Sequence, residues 1–569
     1  MADAPMSPDG TPRDLYDYLT KRISAMKTER TSFIDQWRSL ADFVKPRRGR
    51  FFIQDRNKGD RRWSNIINSI ATQALRTARG GFMAGTMSPA RPWFSFETID
   101  KGLMEFPPVK DWLYVVEMMI RSILTDSNFY SMVPLLLQEL LLFGTGAMSH
   151  VDDFHDVARF YTHTIGSYML GLDDKLRVRT FAREYEDQVS KIVAQFGYEN
   201  CSKQVKSAYD RSNYDNWFPV NHFVEANPAF KPGNKFSKPF RSIYFEPGNR
   251  DGMLQQAGFH EFPVYCPRWE VTDQDIYGTD CPGMTALGDV KGLQVMERRK
   301  AQGLDKVVSP PLKGPPTLKN VPVSSLPGGL TVYAADPNAE VLSPVYEVRL
   351  PLQEIRLDMD AVEKRINSAF YVDLFMAIST MEGIQPRNQF DLMQRNQERL
   401  LQLGPVLEQI HGEFLRGVIE RTFNQAVRAN ILPVAPPELA GQELKLKFIS
   451  PLALAQRAAA TGNIERMVAF VSQLALGGMP GALDKFDADQ AVDEYAQAIG
   501  APPSIVVPDQ IVEQNRKVKQ MQQSLATSAA LVNSAADTTN KLAAAKTVEP
   551  SVLSNLSQAM VQRYQGGNK

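Results

Sequence analysis

The sequence predicts a mixed α+β protein that is mainly helical. Three observations carry this. Long segments place apolar residues at helical spacing, notably 13–45, 284–305 and 351–370. Between about 157 and 270 the texture changes to short runs rich in β-branched and aromatic residues, bounded by Gly, Pro, Asn and Asp. A stretch dense in Pro and Gly then separates two long helices. At 569 residues, the chain exceeds what one hydrophobic core organises, so several domains or an elongated multi-part subunit are expected.

In segment 13–45, Leu15, Leu19, Ile23, Met26, Phe33, Trp37, Leu40 and Val44 mark one helical stripe, with Pro46 beyond the stop. A second helix is expected at 62–79, closed by Gly80–Gly81, since glycine readily takes the left-handed turn that ends a helix. Helices follow at 108–125 and 129–143. The second of these carries the most apolar run, "VPLLLQELLLFGTGAM" (133–148), interrupted by Gln138 and Glu139 and too short to cross a bilayer. It reads as a buried helix.

The α+β region holds "KLRVRTFAREY", "FPVNHFVEA", "RSIYFEP" and "FPVYCPRWEV" as strands, with one helix at 185–197. Next, Met284, Leu287, Val290, Leu293 and Met296 define a helix over 284–305. Leu352, Ile355, Met359, Val362, Ile366 and Ala369 define its return partner over 351–370. No long helix traverses "SPPLKGPPTLKNVPVSSLPGGLTVY" between them, so the pair should run out and back with a turn-rich module at its tip. An exposed loop is expected at 376–389. Behind it, a helix over 388–429 carries Pro405 in its interior and should kink near 401–405. Helices rich in Ala, Gln, Ser and Asn close the chain from about 507, with low hydrophobicity near 522–547 suggesting a marginal helix or a disordered tail.

Composition restricts function. Lys+Arg and Asp+Glu are both 64, for no net charge, whereas tight grip on DNA normally needs a cationic excess. The three cysteines form no CxxC pair and read as reduced thiols. The polar N-terminal "MADAPMSPDG" does not read as a signal peptide.

The stretch "GGFMAGTMSPARPWF" (80–94) spaces Gly80 and Gly85 like a phosphate loop. The lysine that would reach the outer phosphates is missing, because Thr86 and Met87 follow. "SHVDDFHD" (149–156) gathers metal-ligating residue types, including His150 and His155, but reads as a solvated acidic turn. Glu184 and Glu186 read as exposed faces. No HExxH, GxSxG or cysteine–histidine signature occurs, so no catalytic, cofactor or metal residue is assigned. The basic, aromatic-interleaved stretch at 45–63 suits nucleic acid or, better, a solvated or inter-subunit face.

Five strings then stand out in order: "GFMAGTMSPARPWF" (81–94), "FGTGA" (143–147), "RWE…YGTDCPGMTALGDVKGLQVM" (268–296), "LGPVLEQIHGEFL" (403–415) and "FISPLALAQR" (448–457). Together they resemble the head-to-tail connecting (portal) proteins of short-tailed bacteriophages, the podoviruses. The resemblance implies the portal fold with wing, helical stem, clip and crown. The wing takes 1–280, including the α+β part. Stem helices at 281–306 and 346–371 flank a clip at 307–345. A tunnel loop occupies 372–390, more wing with a kinked long helix 391–454, and crown and tail 455–569.

The implied function is a non-enzymatic channel at one capsid vertex, through which genomic DNA is packaged and ejected. The implied state is a ring, typically a dodecamer, built in the host cytoplasm and resident in the virion. Implied partners are double-stranded DNA, the packaging terminase, tail adaptor and nozzle proteins, and major capsid and scaffolding proteins, with no membrane. A neck or tail adaptor is the nearest alternative, and an ATP-driven packaging enzyme a more distant one. Lys291, Arg298, Arg299 and Lys300 are expected at the channel or the stem surface. Met381, Gln385 and Arg387 are expected in the tunnel loop, and Lys313, Pro315, Lys319 and Pro327 on the clip docking surface. A wall of balanced charge with a few basic rings guides a duplex without trapping it.

Overall fold

Tyr16, Leu19, Ile23, Met26, Trp37, Leu40 and Val44 lie buried along one helix, α1 (Pro12–Val44), as their spacing requires. The computed structural model describes residues 12–46, 51, 65–233, 237–313, 343–345, 351–380, 403–439, 441–449, 467–474, 477, 486–499, 507 and 512–522. The chain divides into two units, Met1–Ala459 and Ala460–Lys569.

In the first unit, α1 serves two cores. Its first half packs Tyr16, Leu19, Ile23 and Met26 against a sheet, and its second half sends Trp37, Leu40 and Val44 into the main core. At the changeover the buried Arg30 donates one guanidinium nitrogen to the carbonyls of Gly166 and Tyr168.

Helix α2 (Ile70–Thr86) differs from expectation. It begins later than 62 and runs straight through Gly80–Gly81 instead of ending there. The reason is tertiary: a Cβ on Gly81 would lie 2.2 Å from the Cβ of Phe375, so the glycine lets another helix, α10 (Val372–Thr380), approach closely. Strand β1 (Phe94–Thr98) and the short α3 (Lys101–Glu105) lead to α4 (Pro107–Asp126) and α5 (Phe129–Phe143), both where their periodicity puts them. Buried Gln138 accepts from Lys45 and Arg79, and buried Glu139 accepts from the Ile165 amide, so the two polar interruptions of α5 are tied rather than solvated.

Strands β2 (Ala147–Asp153), β3 (Val157–His163), β4 (Tyr168–Leu172) and β5 (Val178–Gln188) come next. Helices α6 (Val189–Phe196) and α7 (Lys203–Asp210) precede β6 (Trp217–Ala226), β7 (Phe240–Phe245), β8 (Gln255–Phe259) and β9 (Val264–Tyr265). They form an antiparallel five-stranded sheet, β4-β5-β6-β7-β8, and a three-stranded sheet, β3-β2-β9. Two expectations fail here. Glu184 is no exposed face: on β5 it is buried and ion-paired with Lys27 at 2.7 Å. His150 is no part of a solvated turn: it is wholly buried on β2, and only the tip of the β2–β3 hairpin, with Phe154, stands in solvent.

Helices α8 (Pro282–Val308) and α9 (Leu352–Ala369) form the expected pair. Asp289 meets Arg365, and Lys300 meets Met359, so the two run antiparallel. At the far end, β10 (Leu312–Lys313) pairs with β11 (Ser343–Pro344). Pro315, Lys319 and Pro327 lie outside the described residues, as do Met381, Gln385 and Arg387. Where a loop from 372 was expected, residues 372–380 are the helix α10.

The next described helix starts at Gly404, with Pro405 in its first turn, where a missing N–H costs nothing, and not in a helix interior. It comprises α11 (Gly404–Ile410), a π segment (His411–Leu415) and α12 (Arg416–Arg428), so the irregularity falls after the proline. Strand β12 (Leu444–Phe448) then returns to pair with β1, setting Phe94 opposite Phe448. Local periodicity did not show this pairing across some 350 residues, nor β2 and α7.

In the second unit, α13 (Ala488–Ile499) and helical residues 467–474 and 512–522 are described. Arg516 grips Asp489 with two hydrogen bonds of 2.6 and 2.7 Å.

The β1 edge carries a pH-dependent element. Glu117 of α4 accepts the Phe96 amide at 2.7 Å, and burial pushes its carboxyl up to about 7. A carboxyl whose pKa rises on folding weakens the fold as pH climbs from the ordinary carboxylate range through about 7. Glu117→Gln keeps an acceptor for Phe96 and removes the charge. It should add on the order of 2 kcal/mol near pH 8 and nothing near pH 4, read by chemical denaturation at both.

Candidate functional site at the root of the helix pair

The strings singled out in the sequence converge in space. Gly144, at φ +76°, caps α5 in the left-handed region, and its carbonyl accepts the Trp269 amide at 2.9 Å. Gly278 approaches so closely that a Cβ there would sit 2.1 Å from the Gly144 oxygen. The Gly278 amide donates to the Thr145 hydroxyl at 2.7 Å. Gly283, in the first turn of α8, faces the Leu142 carbonyl, which a Cβ would approach to 2.5 Å. "FGTGA" and "YGTDCPGM" are thus two halves of one backbone-to-backbone joint that seats α8 on α5.

A second joint links "RWE" to "HGEFL". Arg268, 5% exposed, donates its backbone amide (2.9 Å) and its Nε (3.0 Å) to the Glu413 carboxylate. Its remaining guanidinium donors reach the carbonyls of Asp275 and Leu176. Glu413 sits in the π segment, whose extra residue per turn re-aims the side chain across the core. A third joint ties the segment before α2 to both stem-type helices. The amides of Ile67 and Asn68 donate to Gln294, and the Asn68 side chain donates to Glu363 at 2.8 Å. Neither Arg268 nor Glu413 was assigned a role from sequence, although each lies inside a marked string.

Of the four cations assigned to the stem, two are engaged within the chain. Lys291 lies over the Phe43 ring of α1 at 5.4 Å, and Lys300 pairs with Glu297 at 2.8 Å. Arg298 and Arg299 are exposed and have no partner among the described residues. Val295, Leu304, Val307 and Leu357 are exposed apolar side chains on the same two helices. Lys313 lies on β10 at the tip of the pair.

Catalytic chemistry finds little support. Burial pushes the Cys201 and Cys281 thiols up, to about 11 and about 12, and Cys266 further, so all three are protonated at neutral pH. Among the described residues no group of His, Cys, Asp and Glu is placed to hold a metal ion. A cavity of about 340 Å³ lies where α9 meets α10, lined by Trp269, Glu270, Asp280, Thr285, Arg365 and Tyr371. Cys281 and Ser368 also line it, and the Thr285 hydroxyl meets the Asp280 carboxylate at 3.2 Å at the start of α8. No helix among the described residues is long and apolar enough to cross a membrane.

Close glycine joints and the Arg268–Glu413 pair fix how the long helix pair is mounted on the rest of the unit. The family model for the bacteriophage head to tail connecting protein matches residues 17–506, and the chain belongs to that family. It is similar to the portal protein of Salmonella phage epsilon15, with 38% identity over 546 residues, covering 95% of this chain and 98% of the relative. It is also similar to a probable portal protein of Bordetella phage BPP-1, 40% identical, with the same coverage of both chains. The protein is accordingly a non-enzymatic virion component of the head–tail junction. Solved structures of the neck of an empty GTA particle and of a native gene transfer agent virion match at 12% and 11% identity. They cover 77% and 84% of this chain and 95% and 99% of theirs, with TM-scores of 0.33 and 0.30, and nothing about this chain follows from scores that low.

Proposed function

We propose that copies of this chain close into a ring, dodecameric in the family pattern, around a channel for double-stranded genomic DNA during packaging and ejection. In this reading α8 and α9 are the stem, 307–345 the clip, 372–390 the tunnel region, the remainder of the first unit the wing, and 455–569 the crown and tail. The clip, with Lys313, Pro315, Lys319 and Pro327, docks the packaging terminase and later the tail adaptor and nozzle. Met381, Gln385 and Arg387 approach the DNA. Capsid and scaffolding proteins meet the wing.

One observation supports the ring above others. The stem helices bury a single side each against their own chain, while Val295 and Leu357 remain exposed. Arg298 and Arg299 on α8 and Asp358 and Asp360 on α9 are likewise exposed. Apolar and oppositely charged residues on two different helices suit a neighbouring copy in a heterologous contact that closes by rotation.

Electron-microscopy top views of the purified protein should show rings with an axial opening. Replacing Lys291, Arg298, Arg299 and Lys300 together by Gln should reduce ring recovery or DNA packaging while the monomer keeps its circular-dichroism spectrum. Unaltered rings and packaging in that variant would remove these four from the proposal. Lone wild-type particles under every condition would remove the ring itself.

A further inference from the structure

His150 of β2 has no exposed surface. Its Nδ1 is 2.8 Å from the Tyr265 hydroxyl oxygen. That hydroxyl also reaches the Gly417 carbonyl at 3.0 Å, and in the tautomer with the ring hydrogen on Nδ1 it donates there and accepts from the imidazole. Nε2 is then a bare lone pair, buried without a partner. Gln425 of α12 stands beside it. The Gln425 amide nitrogen is committed to the Asp152 carboxylate, and its Oε1 is also buried without a partner. Turning the amide over would set its oxygen against Asp152, which Arg421 binds as well at 3.2 Å. In that tautomer two buried acceptors are left without a proton, whereas with the hydrogen on Nε2 the Tyr265 hydroxyl donates to Nδ1 and leaves the Gly417 carbonyl.

The surrounding elements decide what adding that proton does. From α12 come Arg421, Arg428 and Glu420; from the segment before β9 comes Glu261, which holds both arginines; β2 supplies Asp152 and β9 supplies Tyr265. Phe160 of β3 packs its ring 4.4 Å from the imidazole and excludes solvent on that side. A second ring proton satisfies both Tyr265 and Gln425 but creates a positive charge close to two guanidinium groups.

We propose that His150 is a proton-operated latch between the β2–β3 hairpin and α12: acid charges the imidazole against Arg421, and α12 loosens from the hairpin. Burial, then Arg421, holds the imidazole well below its ordinary range. The latch is therefore fully closed above the unfolded value of about 6.5 and loses stability as pH falls below it. His163 and His222 are depressed in the same direction by burial and Arg183, so global melting does not isolate His150, and the readout must be local.

Hydrogen exchange on the full chain, corrected for intrinsic rates, should be compared near pH 7.5 and near pH 5. Protection of 147–163 and 416–428 should fall by about tenfold or more in the wild type and change little in His150→Gln. Gln425→Glu places a carboxylate beside Nε2, brings the folded-state value back toward the unfolded one and should shrink the loss of protection at pH 5. Unchanged wild-type protection, or an equal loss in His150→Gln, overturns the latch. If His150→Gln does not fold, Gln425→Glu decides: a loss of protection as large as the wild type's overturns it too.

Discussion

Gly278→Ala should abolish the native fold of the first unit, with a loss of about 4 kcal/mol or more, seen as insoluble protein or a collapsed unfolding midpoint. The cost comes from space alone. The new methyl would lie 2.1 Å from the Gly144 oxygen and 2.7 Å from its carbonyl carbon, both backbone atoms in a joint that cannot move without unseating α8 from α5. Gly288→Ala is the matched control. It lies on α8, exposed, with nothing within 4 Å of the added Cβ. In the monomer it should stabilise by roughly 0.5–1 kcal/mol, because alanine loses less backbone entropy in a helix. Equal tolerance of both substitutions would dismiss the joint as the mounting point of α8.

Removing one partner of the Arg268–Glu413 pair should have the second-largest effect, about 3–5 kcal/mol for Arg268→Met or Glu413→Gln measured singly. Glu413→Gln leaves the buried Arg268 charged without its counter-ion, and Arg268→Met leaves the half-buried Glu413 carboxylate short of hydrogen bonds. Arg268→Lys should cost nearly as much. An ammonium cannot hold Glu413 while also serving the carbonyls of Asp275 and Leu176 as the guanidinium does. The double variant Arg268→Met with Glu413→Gln should recover a large part of the summed loss, since no unpaired charge then remains. Additive single effects in that cycle would show that the pair is not coupled. The same measurement tests the π segment, because its role here is to carry Glu413 to Arg268.

Helices whose apolar stripes were complete within the segment were legible from sequence: α1, α4, α5, α8 and α9 lie within a few residues of their expected bounds. Features that depend on a distant partner were not. Gly80–Gly81 has the local appearance of a helix stop, yet the helix continues because Phe375 occupies the space a side chain would need. Glu184 alternates like a solvent-facing residue on β5, and only the presence of Lys27 on α1 makes its burial tolerable. "SHVDDFHD" is polar by composition, but strand pairing with β3 and β9 carries His150 inward.

The candidate site followed the same division. Sequence order identified the five strings, and contact between them showed why those residue types occur. Gly144 and Gly278 exist for each other, as do Arg268 and Glu413. Pro405 marks where a helix begins, while the irregularity belongs to the π segment that follows.

From the sequence alone came the class of fold, the stem-like helix pair, the lack of catalytic motifs and the family, because periodicity and short strings are properties of neighbouring residues. Which glycine bears against which carbonyl, which acids are buried, and which stem cations stay open depended on tertiary structure. The glycine joint, the Arg268–Glu413 pair and the burial of Glu184 are set by distances between residues more than a hundred positions apart, and no local pattern encodes such a distance.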